Sequence, residues 1–89
     1  MTKLFRIYTE DKNRALVEGI MADQFDNFTV IEAAGYYNGT KEKSLILEVI
    51  SEDPLARYTV NYVARAIRDA NQQECVLVTE QTLDNMKLV

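Results

Sequence analysis

The sequence predicts an α+β sandwich of order β-α-β-β-α-β: one four-stranded antiparallel sheet with two helices on one face. Three observations predict it. Hydrophobic residues alternate with period two in four segments and recur with helical spacing in two others. An Asn38-Gly39 pair stands between two of the alternating segments, a strong hairpin signal because both residues tolerate positive φ. The chain has 89 residues, enough for one hydrophobic core and too few for two.

The first strand is expected over Lys3–Thr9, where Phe5, Ile7 and Thr9 alternate with Leu4, Arg6 and Tyr8. Thr9, Glu10 and Asp11 then offer an N-cap and early negative charge for a helix whose stripe is Leu16, Val17, Ile20, Met21 and Phe25. Gly19 within it implies close packing or a looser element. Asp26-Asn27 ends this helix. Phe28–Tyr37 and Ser44–Ser51 read as the second and third strands, with Thr40–Lys43 available to lengthen the turn between them. Asp53-Pro54 reads as an N-cap followed by proline at the first helical position. Val60, Val63, Ile67 and Ala70 mark the second helix, which ends near Asn71, and Glu74–Glu80 is the fourth strand. Cys75, at its start, reads as a small buried hydrophobe.

Short connections and right-handed crossovers favour the ferredoxin-like, or split βαβ, topology with strand order 4-1-3-2. Residues 1–80 then form a single domain. Residues 81–89 are a tail, either a short helix or an arm on a neighbouring subunit.

Alternation puts Phe5, Ile7, Ile31, Ala33, Leu45, Leu47, Val49 and Leu77 toward the helices. The other face would carry Leu4, Arg6, Tyr8, Val30, Glu32, Tyr36, Ile46, Glu48, Ile50, Val76 and Val78. So much apolar surface on an open sheet face implies a partner, and a second copy of the chain is the simplest one.

Composition narrows the function. The chain is 47% hydrophobic and 27% charged, as in globular proteins, and no apolar stretch would span a bilayer. With no secretory leader pattern and a single cysteine, it reads as intracellular. A net charge of −4 argues against binding DNA or RNA polymers, though a few local cations could still hold a small phosphorylated ligand. The absence of histidine removes imidazole triads and the usual zinc sets, so an enzyme is the disfavoured class and no cofactor is called for.

Candidate binding residues cluster in GYYNGTKEKS, residues 35–44. Tyr36 or Tyr37 could stack on a base, with Asn38 beside them and Lys41 or Lys43 on a phosphate. Arg6 and Tyr8 end the first strand, where Arg6 could instead pair with Glu48 across the sheet. Arg65 shares a helix face with Arg68, more simply a solvated face than a site. The run Asn71-Gln72-Gln73 reads as a helix C-cap in which asparagine takes the left-handed conformation, or as amides able to read base edges.

The segments RIYTEDKNR, GYYNGTKEKSLILEVI and NQQECVLVT resemble small phage-encoded anti-defence proteins, specifically the Thoeris anti-defence sponge family. The resemblance implies a compact α+β homo-oligomer acting in the cytoplasm of a host cell. It would bind a cyclic nucleotide immune signal, a cyclic ADP-ribose isomer or a cyclic oligonucleotide, without cleaving it. An aromatic at Tyr36 or Tyr37 and arginines at Arg6 or Arg65 would suit that ligand. The alternative is a regulatory or protein-interaction module that docks a partner on its open sheet face.

Overall fold

A computed structural model describes all residues, Met1–Val89, and has the expected topology. The elements are β1 (Thr2–Glu10), α1 (Arg14–Gln24), β2 (Thr29–Tyr37), β3 (Thr40–Ser51), α2 (Ala56–Ala70) and β4 (Leu77–Leu83). All strand pairs are antiparallel, and the sheet order is β2-β3-β1-β4. Both helices pack on one face of the sheet, and the core between the layers contains Phe5, Ile7, Leu45, Leu47, Val49, Val17, Met21, Val60, Val63 and Ile67. No helix is long and apolar enough to cross a membrane.

Asn38 and Gly39 both have positive φ, 49° and 79°, and they alone make the turn. Thr40–Lys43 is therefore strand, not loop. Because β1 ends at Glu10 opposite Ser44, the tip of the β2–β3 hairpin runs on past the rest of the sheet as a two-stranded ribbon. One bond ties it back, from the Asp11 amide to the Lys43 carbonyl at 3.0 Å.

Both helix starts differ from expectation. Thr9 and Glu10 remain in β1, and α1 begins after Asn13, whose φ is 53° and whose side chain makes no cap bond. Asp53 sits three residues before α2, where its carboxylate accepts the Leu55 amide at 2.9 Å in a preceding turn. Gly19 is exposed with no neighbour within 4 Å of where a Cβ would stand, so nothing packs closely against it. At the end of α2 the left-handed residue is Gln72, φ 53°, while Asn71 keeps φ −95°.

The outer strands lie one residue out of phase with the expected alternation. The register pairs Val30 with Leu47 and Val78 with Ile7, so Val30, Glu32, Tyr36, Val76 and Val78 lie on the helix side. Ile31, Ala33 and Leu77 lie on the open face instead. β4 also starts three residues later than expected and runs to Leu83, beyond residue 80. Residues 84–89 form neither helix nor strand. Cys75 precedes β4 in a loop and is exposed, which corrects its reading as a buried hydrophobe.

The open face remains largely apolar after this correction. Leu4, Tyr8, Ile31, Ile46, Ile50, Leu77 and Leu83 share it, with Ile50 49% and Leu77 59% exposed. Arg6 neutralises Glu48 there, Nε to Oε2 at 2.7 Å, as the cross-strand pairing predicts.

Candidate functional site

Antiparallel pairing gathers the end of β1, the end of β2 and the starts of β3 and β4 at one end of the sheet. A cleft of about 520 Å³ opens there. Tyr8, Thr9 and Glu10 come from β1, and Gly35, Tyr36 and Tyr37 from β2. Glu42, Lys43 and Ser44 come from β3, and Gln73, Glu74, Cys75 and Leu77 from the α2–β4 loop and the first residue of β4.

Of the residues proposed from the sequence, Tyr8, Tyr36, Tyr37 and Lys43 line this cleft. Asn38 and Lys41 stand on the hairpin tip outside it. Arg6 is spent on Glu48, two residues along the strand from Tyr8. The hydrogen bond that it donates to Glu48 is the chief cause that raises its pKa. Arg65 faces a separate depression of about 180 Å³ with Asn61, Arg68, Val76 and Val78; only Cys75 borders both hollows. Arg14 is likewise committed, donating Nη1 to Glu32 at 2.7 Å and Nε to Asp11 at 3.2 Å.

Sequence reasoning missed part of the lining, Thr9 and the three glutamates above all. Thr9 is 4% exposed, and its hydroxyl exchanges hydrogen bonds with Gln73: Gln73 Nε2 donates to it at 2.7 Å, and Gln73 Oε1 lies 3.1 Å away. The Glu10 amide also donates to Gln73 Oε1, at 3.3 Å. The side chain of Asn71, 2% exposed, adds a second tie. It donates to the Lys12 carbonyl at 3.0 Å and accepts from Asn13 Nδ2 at 2.9 Å. The ammonium of Lys12 donates to the Asn71 carbonyl at 3.0 Å. These bonds hold the α2–β4 loop against the end of β1 and so present Glu74 and Cys75 to the cleft.

The charge of the lining is unlike the expectation. Glu10, Glu42 and Glu74 supply three carboxylates and Lys43 one ammonium, and none of the four has an ion-pair partner within 4.0 Å. Tyr37 registers that field. Its phenol is held above the usual range, first by the charge of Glu74, then by Cys75, partial desolvation and Glu42. Glu74→Gln is therefore expected to lower the Tyr37 pKa toward about 10. An NMR titration of the labelled Tyr37 ring checks this, and an unchanged midpoint would mean that the loop does not hold Glu74 beside it.

No protein-family model and no curated protein matches the chain. Solved structures do share its fold. A DUF3240 family protein from Shewanella baltica superposes with TM-score 0.74 at 6% identity, over 99% of this chain and 96% of that one. A phage SAM lyase in complex with S-methyl-5'-thioadenosine gives TM-score 0.73 at 17% identity, over 90% and 80%. CPII, a nitrogen regulatory PII-like protein from Thiomonas intermedia bound to ADP, AMP and bicarbonate, gives 0.66 at 8%, over 99% and 96%. At these identities the likeness shows the fold alone.

Proposed function

We propose that this chain is a binding protein that captures a nucleoside-containing small ligand in the cleft at the sheet end and retains it unaltered. One observation carries the reading: three tyrosines and three glutamates from distant parts of the chain line a single concavity. Aromatic faces stack on bases, and carboxylates accept hydrogen bonds from ribose hydroxyls and exocyclic amines. Two proteins that share the fold hold adenosine-type ligands, which supports the size and class. The finer form, implied by the resemblance, is a phage-type sponge for a cyclic nucleotide immune signal. Phosphates of such a signal belong toward Lys41 and Lys43, because Glu10, Glu42 and Glu74 repel them elsewhere in the cleft.

The apolar open face supports a homo-oligomer, with a second copy covering Ile31, Ile46 and Ile50 and walling the cleft where Tyr8 and Leu77 reach its rim. Light scattering at micromolar concentration is expected to give a multiple of 10.2 kDa. A monomeric mass would remove the shared wall. The same exposed residues favour a second reading, a module that docks a protein partner there.

The central test incubates the protein with adenosine nucleotides and cyclic nucleotides, then releases bound ligand by heat and weighs it. Unaltered ligand supports capture, and a changed product would make the protein an enzyme. No thermal shift with any of them, beside a stable complex with a protein, would favour the docking module. Tyr36→Ala and Tyr37→Ala are each expected to weaken binding on the order of tenfold or more, the worth of a lost stacking face. Gly35→Val should block the cleft while sparing the fold: a Cβ there would meet Ser44 Cβ at 3.5 Å, an ordinary contact. Full affinity in all three variants would place the ligand elsewhere.

A further inference from the structure

The balance of charge around the cleft runs against the phosphate-rich ligand that the hairpin lysines suggest. Glu10, Glu42 and Glu74 all line it with no ion-pair partner within 4.0 Å, and Lys43 is the single cation on the lining. The neighbouring guanidinium groups cannot redress this, since Arg6 is bonded to Glu48 and Arg14 to Asp11 and Glu32. Carboxylates set among aromatic rings make a known chemical combination. The rings attract a diffuse cation through their quadrupoles, and the carboxylates lower the potential without having to touch it.

A cation rich in N–H donors could be held by almost any exposed carboxylate. An onium centre has no such donor and is weakly hydrated, so aromatic faces favour it over a small, strongly hydrated ion. We propose that the cleft selects nucleoside ligands that carry a fixed positive charge, a sulfonium or quaternary ammonium centre, over their neutral and phosphorylated counterparts. This rests on the reading of the cleft as the ligand site and adds the charge of what enters it.

The test is calorimetric binding of S-adenosylmethionine and S-adenosylhomocysteine, which differ by one methyl group and one positive charge, with AMP as the anionic probe. The sulfonium compound is expected to bind on the order of tenfold more tightly than the neutral one at low salt, and AMP most weakly. In the Glu42→Gln, Glu74→Gln double variant, which keeps the lining volume, that advantage should shrink toward parity. Circular dichroism confirms that the variant is folded. Equal affinity for the two adenosyl compounds in the unmodified protein would overturn the charge selection and leave the cleft standing as a nucleoside site. Binding of neither, or binding that Gly35→Val does not weaken, would overturn the cleft reading along with it.

Discussion

Leu47→Ala is expected to cost about 3 kcal/mol of folding stability, the usual range for emptying a fully buried leucine site. Leu47 has no exposed surface and stands at the middle of the sheet, paired across to Ile7 on one side and Val30 on the other. The residues around it come from the central strands and the helices, and neither layer can shift into the gap without losing register. A domain of this size has about 5–15 kcal/mol in total, so the variant would melt roughly 15 °C lower. Urea denaturation followed by circular dichroism measures it. A loss below about 1 kcal/mol would mean that the core can collapse around the hole.

Asn71→Ala is expected to cost about 2 to 3 kcal/mol for a different reason. Alanine creates little void, but the Lys12 carbonyl and the Asn13 side-chain amide both lose their partner in a part-buried site over the enclosed Asn71 position. A buried polar group without a bond is more costly than the bond itself was worth. The damage should also be local. With the α2–β4 loop released, Glu74 no longer sits beside Tyr37, so the phenol should titrate closer to its ordinary value. Leu47→Ala, measured where the protein is still folded, should leave that titration unmoved. If both variants shift Tyr37 alike, Asn71 is part of the general packing and does not hold the loop.

Much of the architecture could be read in advance because the central elements are unambiguous. Ile7 stands between Arg6 and Tyr8 in β1, Asn38-Gly39 admits one turn geometry, and Val60, Val63 and Ile67 recur with helical spacing in α2. The outer strands misled because apolar residues fall on both of their faces. Val30 stands next to Ile31, and Val76, Leu77 and Val78 run together, so period two has no phase to choose. Glu32 lies on the helix side as well. On an edge strand a glutamate can lie on the helix side and still reach a cation, and it does so at Arg14. β4 begins later than its sequence suggests: Glu74-Cys75-Val76 has strand character, while the Asn71 and Gln73 bonds hold Gln73–Cys75 as loop.

The cleft was half legible. Tyr36, Tyr37 and Lys43 announce themselves within ten residues, and Tyr8 ends a recognisable strand. Glu10, Glu42 and Glu74 carry no common signal, since each is an ordinary surface residue until antiparallel pairing brings the strand ends together. Arg6 takes the cross-strand alternative that the sequence offers and pairs with Glu48, and Arg65 lies at a different hollow.

The overhanging tip of the β2–β3 hairpin has a dynamic consequence. That ribbon forms one wall of the cleft, and outside its own ladder a single backbone bond, from Asp11 to Lys43, ties it back. Two strands without a third bend more readily than a full sheet. Entry and escape of an occupant should therefore follow the flexing of this flap, and residence time should depend on its stiffness as much as on the lining itself. Hydrogen exchange at the hairpin amides would slow on occupancy while the central strands stay as they were, so the wall would report its cargo by becoming quiet.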